Sequence, residues 1–403
     1  MVNLPAEFIT ETQRIMGDER FNRFIGAFEK EAPTSVRVNV RKELSHLLTS
    51  SPAHLQQVPW CEEGYYLADR PQFTFDPLLH AGCYYVQEAS SMFVTHILRL
   101  SGDSPQSALD MCAAPGGKST AMRSVLPEDC VLVSNEPMGN RAQILLENIT
   151  KWGAPNCIVT NNYPRDFRKA KLKFDVILCD VPCSGEGMFR KDPATISEWS
   201  MQNVEKCWQL QREIVADAWE CLNPGGLFIY STCTYNTKEN EENIQWILEN
   251  FDAEVLDIPV DPSWNITGSL FEGFDAPVYR FIPGITRGEG LFACALRKGG
   301  MWKVEGGRRN DLQKVKGLNV ISLDIPHSTF HVDLSYQEAL KYLRGEALVL
   351  PPDTPKGIVT ITYKGQPLGP AKNIGNRANN LYPKAWRIKS THLPTEAPKI
   401  FNV

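Results

Sequence analysis

A thiol and a carboxylate stand together where one strand of this chain must end. In the stretch Phe174 to Pro193, FDVILCDVPCSGEGMFRKDP, the residues Phe174, Val176, Ile177, Leu178 and Cys179 make a short buried strand. It runs into Asp180 and then Pro182, which cannot continue a central ladder. The chain must turn there, leaving Asp180, Pro182 and Cys183 at the carboxyl end of a strand, where open α/β sheets place their ligands. Gly185 and Gly187 then let the backbone pass close to something large. One such cluster alone could be packing. A second strand end of the same kind, LFIYSTCTYN, delivers another thiol, Cys233, and the pair points to chemistry.

The elements that must position these groups follow from about Gln106, where strands and helices alternate and imply a parallel sheet covered on both faces. The strand SALDMC runs into AAPGGKST, in which Gly116 and Gly117 permit a tight turn and the next helix offers free amides. This is a cofactor loop by geometry, with a structural glycine turn as the minority reading. Although Gly117, Lys118 and Ser119 are present, the spacing is not that of a phosphate loop. The next strand, CVLVSNE, ends on Glu136, about twenty residues past the glycines, where such folds hold ribose hydroxyls. A helix near Asn140 to Trp152 leads to the strand CIVTNN, and a long helix from about Val204 to Leu222 stops at Asn223-Pro224-Gly225-Gly226. Cys112 and Cys179 read as strand core and Cys207 and Cys221 as helix residues, so only Cys183 and Cys233 lie at strand ends facing the site.

The 403 residues suffice for two or three domains. Net charge is −5, but residues 301 to 403 carry 15 Lys+Arg against 8 Asp+Glu, so the first 300 hold −12. A basic module on an acidic core suits a polyanionic substrate, while a pI near 5.9 argues against indiscriminate nucleic-acid binding. Eleven cysteines without a Cys-x-x-Cys pair indicate neither a disulfide framework nor a zinc knuckle, and no metal is expected. A reducing cytosol is the simplest compartment. With no signal-like N-terminus and no long apolar run, the chain is expected to be neither exported nor membrane-spanning.

Residues 1–100 read as an appended module: helical stretches at Pro5 to Met16 and Asp18 to Phe28, then an extended TSVRVNV. Arg37 and Asn39 share one face of that strand, available to a phosphate or base, with a solvated face as the equal alternative. Beyond residue 300, GGMWKVEGGRRND reads as a linker, Ser335 to Arg344 as a helix, and 351–403 as short strands with eight Lys+Arg against two acids. Lys364, Lys372, Arg377, Lys384, Arg387 and Lys389 could follow a phosphate backbone, with Tyr382 and Trp386 able to stack on bases. The end beyond about residue 300 is expected to be separable, so that its removal costs affinity for a polyanion and spares cofactor affinity.

DMCAAPGGKST, CDVPCSGEGMFRKDP, LNPGG and YSTCTYNTKENEENI resemble the motifs of the NOL1/NOP2/sun family of S-adenosylmethionine-dependent RNA cytosine-5 methyltransferases. The likeness covers roughly residues 1 to 300, and the tail resembles the PUA-like end of the bacterial subgroup acting on 16S ribosomal RNA. It implies an α/β fold: a Rossmann-like class I methyltransferase core at 101–300, an N-terminal RNA-binding α+β module at 1–100, an intermediate segment at 301–350 and a PUA-like β-barrel at 351–403. It implies that Cys233 is the nucleophile, that Cys183 assists product release, that Asp180 steadies the base, and that Lys118 either lowers the nucleophile's pKa or binds the base. S-adenosylmethionine is expected along Cys112, Ala113, Ala114, Pro115, Gly116, Gly117 and Lys118, with Glu136 on the ribose, Arg141 supporting and Asp180 alongside. Where many relatives carry an adenine-binding Asp, this chain has Tyr163 with Asn162 beside it, so Asn162 or backbone groups are expected there. Pro182, Arg37, Asn39, Lys372 and Arg377 are the RNA candidates, and a cytoplasmic monomer is expected. Rival readings are a transfer-RNA substrate, a DNA cytosine-5 enzyme (against which Thr-Cys-Thr at Cys233 argues) and a non-catalytic RNA-binding or assembly factor.

Overall fold

The computed structural model describes residues 3–42, 55–300, 315 and 317–400. Most of the expected linker, with Gly306, Gly307, Arg308 and Arg309, lies outside them. Helix α1 (Ala6–Gly26) is interrupted at Gly17, whose φ of 70° breaks it into the two expected halves. Strands β1 (Thr34–Val38), β2 (Gln56–Val58), β3 (Cys61–Leu67) and β4 (Tyr84–Val86) form an antiparallel sheet in the order β2-β3-β1-β4. Helix α2 (Phe93–Leu100) then leads into the central layer.

That layer alternates β5 (Ser107–Asp110), α3 (Gly117–Val125), β6 (Val131–Asn135), α4 (Gly139–Trp152), β7 (Cys157–Thr160), β8 (Phe174–Asp180), α5 (Met201–Glu220), β9 (Leu222–Thr232) and α6 (Glu241–Asn250). It closes with β10 (Ala253–Val255), β11 (Tyr279–Phe281), β12 (Leu291–Lys298) and β13 (Val320–Ile321). The sheet runs β10-β12-β9-β8-β5-β6-β7-β13, parallel from β9 to β7 with β12 reversed between β9 and β10. β5 and β8 are adjacent though the chain travels outward through β6 and β7 between them, so the strand order reverses there and opens a crevice at their carboxyl ends. Apolar cores on both faces, one including Met122, Val176 and Ile229 and the other Ile177, Ile214 and Phe228, make the central strands near-continuous hydrophobic runs.

A third sheet, β14-β15-β16-β17, uses β14 (His331–Asp333), β15 (Gly357–Tyr363), β16 (Gln366–Asn373) and β17 (Ala378–Asn380), with helix α7 (Tyr336–Arg344) packed on it. The expected boundary at 350 is therefore corrected: β14 and α7 belong to the C-terminal unit, while β13 extends the central sheet past residue 300. The C-terminal unit is also not a separate bead. Val332, Leu340, Ile361 and Tyr382 share one core with Val36, Val38, Leu67 and Tyr84 of the first sheet. Tyr382, expected to stack on bases, is buried there against Tyr342, with ring centroids 5.4 Å apart.

Among the described residues no helix is long and apolar enough to cross a membrane.

Candidate active site

The two thiols meet because β8 and β9 are parallel neighbours. Their register pairs Asp180 with Ser231, so the residues that leave each strand emerge side by side. Cys183 and Cys233 stand with their sulfurs 3.3 Å apart, both half-buried. The loops close tightly: Gly187 donates its N–H to the Cys233 carbonyl at 2.7 Å, and a Cβ at Gly187 would sit 2.5 Å from that oxygen and 3.2 Å from the Glu289 carbonyl oxygen. Any larger residue would push the loops apart.

The thiols are not equivalent. The hydrogen bond from Cys183 holds Cys233 below its ordinary thiol range against the effect of burial, and the Lys118 ammonium acts in the same direction. That bond, and then burial, push Cys183 well up. Cys233 is thus the sulfur that ionises first, and Cys183 keeps its proton and donates it. Lys118 reaches across from α3 and pairs with Asp180 at 2.9 Å, while Ser231 donates to the other Asp180 oxygen at 2.8 Å. Burial alone would lower Lys118, but the Asp180 charge and hydrogen bond outweigh it and keep the ammonium protonated.

Next to this cluster the loop from β5 to α3 carries Cys112 to Lys118. Gly116 sits at φ 117°, which a side chain would strain, and opens α3. Ala113 donates its N–H to Asn135 O at 2.7 Å, and Arg141 donates to Ala114 O at 2.9 Å. Glu136 is buried at the end of β6, accepts from the Met138 N–H at 2.9 Å and lies 3.6 Å from Arg141. Asp110, at the end of β5, is fully buried. One of its oxygens takes the Ser119 hydroxyl at 2.6 Å and the other has no partner. Burial pushes its carboxyl up to about 7. An orphaned acceptor and two further carboxylates, Glu136 and Asp180, around one glycine turn fit a ligand that presents an ammonium, a sulfonium and hydroxyls, as S-adenosylmethionine does.

Three expected ligands lie elsewhere. Asn162 spends both ends of its amide on Asn319, donating to its carbonyl at 3.1 Å and accepting its N–H at 2.9 Å, so that side chain anchors β13 instead of meeting an adenine. Arg37 is not at an RNA surface. It is fully buried, bonds Gln87, Thr120, Ser124 and the Gly117 carbonyl, and lies 4.6 Å over the Trp152 ring. Asn39 is equally buried, donating to the carbonyls of Gly82 and Trp152 at 2.9 Å each. β1 is covered on both sides, the valines by the C-terminal core and Arg37 by α3, which is why its alternation misled. Lys372 and Arg377 are exposed on the third sheet, and Pro182 is exposed beside Cys183 with its carbonyl accepting from Gln211.

The sequence reading missed an open groove of about 1310 Å³ between α1, the end of β3, the loop after Cys183 and residues 284–288. Arg23, Lys30, Arg70, Lys191 and Arg287 line it and are exposed. Its wall touches the site, since Arg190 pairs with Glu289 and the Glu289 carbonyl accepts from Tyr235, two residues past Cys233. Clustering of bases from four separate segments leaves no signal in linear sequence.

A largely parallel sheet, reversed at β12 and at its edge strand β13, with a glycine turn ringed by carboxylates and two facing thiols at its carboxyl ends, is the architecture of a Rossmann-like, S-adenosylmethionine-dependent methyltransferase. Comparison with known proteins gives the kinship. Residues 97–297 match the model described as 16S rRNA methyltransferase RsmB/F, residues 4–89 that of the N-terminal domain of 16S rRNA methyltransferase RsmF, and residues 329–388 that of the methyltransferase RsmF PUA domain. The chain belongs to the RsmB/F family. It is 30% identical over 470 aligned positions to ribosomal RNA small subunit methyltransferase F of Escherichia coli, covering 95% of this chain and 96% of that protein. Its namesake from Pectobacterium atrosepticum is 36% identical over 312 residues, 74% of this chain and 63% of that protein. Among solved structures, a methyltransferase homolog from Pyrococcus horikoshii superposes with TM-score 0.59 at 29% identity, over 73% of this chain and all of that one. NSun6 from the same organism gives 0.61 at 20% over 74% of this chain and 99% of that one, a likeness of fold alone.

Proposed function

We propose that this chain methylates carbon 5 of a cytosine in 16S ribosomal RNA through a covalent bond between Cys233 and the base. The observation that carries the reading is the pair of unequal thiols 3.3 Å apart beside the Lys118–Asp180 pair. Carbon 5 of cytosine is a weak nucleophile. Addition of the Cys233 thiolate to carbon 6 makes the ring an enamine whose electrons reach carbon 5. The bound cofactor supplies an electrophilic methyl group there. The carbon 5 proton then passes to solvent, its bonding pair re-forms the carbon 5–carbon 6 double bond, and the Cys233–carbon 6 bond breaks with its pair returning to sulfur. Cys183, beside the leaving sulfur, assists that release. Asp180, a third exposed and held between Lys118 and Ser231, steadies the base while charge develops on its ring.

Asp110, Glu136 and the turn from Cys112 to Lys118 are assigned to the cofactor, with Arg141 holding the turn. The basic groove is assigned to the RNA flanking the target, with Lys372 and Arg377 as more distant phosphate ligands. The substrate follows from family membership and from full-length likeness to proteins named for the small ribosomal subunit.

The test uses wild type, Cys233→Ala and Cys183→Ala with labelled S-adenosylmethionine and either 16S or transfer RNA. Wild type is expected to label 16S RNA. Cys233→Ala should give neither label nor adduct, and Cys183→Ala should accumulate a protein–RNA complex stable on denaturing gels. An adduct in Cys233→Ala would reverse the roles, and label confined to transfer RNA would sink the substrate assignment.

A further inference from the structure

Behind the thiols lie two carboxylates that the mechanism above does not use. Glu186 belongs to the loop of Cys183 and is 2% exposed; Glu239 follows Cys233 and is fully buried. Each reaches into the other's loop. Glu186 accepts from the Thr234 hydroxyl at 2.6 Å and from the N–H groups of Tyr235 and Asn236 at 2.6 and 3.1 Å, the three residues that follow Cys233. Glu239 accepts from both the N–H and the hydroxyl of Ser184, the residue that follows Cys183. The Asn236 amide bridges the two acids, donating to Glu186 at 3.0 Å and to Glu239 at 2.8 Å. Trp199 and Gln211 complete the donor set.

No cation pairs with either acid among the described residues; the nearby Arg190 and Lys238 are paired with Glu289 and Glu205. Two carboxylates buried without counter-charge are costly to keep for stability alone, since apolar side chains of similar volume fill such space as well. Here every donor comes from a neutral group, and seven of the nine bonds come from the residues that directly follow the two thiols.

We propose that Glu186 and Glu239 are positioning residues, a reciprocal clamp in which each cysteine loop lends a buried carboxylate to the other and so fixes the spacing of the two sulfurs. The inference rests on the reading that both thiols act on one base. The buried negative charge has a second effect, because Glu239 raises both thiols and thereby helps Cys183 keep its proton. Glu239 is itself pushed up to about 7 by burial and by Glu186.

Glutamine tests the clamp at almost constant volume. In either orientation its NH₂ would face obligate donors: the Ser184 N–H and Gln211 amide, or the Asn236 amide, around Glu239, and the Tyr235 and Asn236 N–H groups or the Trp199 indole around Glu186. Glu186→Gln and Glu239→Gln are each expected to lower kcat at least about tenfold, as small misplacements of reacting groups do, with KM for RNA and cofactor held within about threefold. A second readout needs no RNA. Diamide takes two electrons and two protons from a thiol pair, is reduced to the hydrazine and leaves a disulfide, and the rate of the Cys183–Cys233 bond, followed by peptide mass spectrometry, reports sulfur spacing. Taken at equal thiolate fraction, because losing Glu239 also lowers both thiols, that rate should fall by a similar factor.

Should a glutamine variant fail to fold, Ser184→Ala, which removes one donor to Glu239, is expected to show a smaller loss in both readouts. Unchanged kcat, or lowered kcat with an unchanged disulfide rate, would overturn the clamp. A wild-type protein that methylates no RNA while the disulfide rate still responds would overturn the functional reading and leave the clamp standing.

Discussion

Cys233 is set apart by its neighbours. It shares its sulfur type with ten other cysteines, and what distinguishes it is a proton-donating Cys183 and a nearby ammonium. Burial pushes the partly exposed Cys157 and Cys207 up to about 11 and about 12. Iodoacetamide near neutral pH should therefore label Cys233 ahead of them, as peptide mapping would show. Lys118→Met removes the charge that lowers Cys233 and leaves Asp180, which raises it, unpaired, so the pH midpoint of alkylation should move upward. A downward or absent shift would remove Lys118 from nucleophile activation. At this scale the sequence was most legible, because Pro182-Cys183, Thr232-Cys233 and Gly116-Gly117 declare themselves within a few residues. Glu186 and Glu239 did not. In the run KENEENI Glu239 is one acid among several, and only the folded chain shows that it meets Ser184 from the loop of Cys183.

At the scale of elements, β1 underlies the glycine turn. Arg37 ties it to α3 through Thr120 and the Gly117 carbonyl, and burial lowers its guanidinium to about 10. Arg37→Leu would strand those acceptors and is expected to cost about 3 kcal/mol in denaturant unfolding. It should also weaken S-adenosylmethionine binding by calorimetry, since the turn loses its support from below. Strand and helix alternation from β5 to β9 was readable because parallel strands buried on both faces are long apolar runs. β1 was not, because whether Arg37 and Asn39 face water depends on α3 and the end of α4, which lie 83 and 113 residues further along the chain. Helix α1 has a comparable supporting part: Phe8 meets Phe189 and Trp199 at 5.1 and 5.5 Å, and Phe24 meets Tyr235 at 4.9 Å, so it braces both cysteine loops.

The whole molecule places its RNA-facing charge on a groove shared between parts of the chain. Arg70→Glu with Lys191→Glu should raise KM for RNA and make the salt dependence of binding shallower by about 0.7 for each phosphate that the groove no longer neutralises. A steady slope would move the RNA off the groove. The shared core corrects the expectation that the basic end is separable. Removing residues after 328 would uncover the faces of Val36, Val38, Leu67 and Tyr84. The truncated chain is expected to lose several kcal/mol and aggregate, with cofactor affinity falling as well, which thermal melts and light scattering would register.

That joint core also bears on how the protein is made. Synthesis delivers β1 first, yet the side chains that seal one face of it emerge from the ribosome only with Val332 to Tyr382. Through most of translation the opening segment is therefore left with a sticky flank and no mate, a natural client for a chaperone.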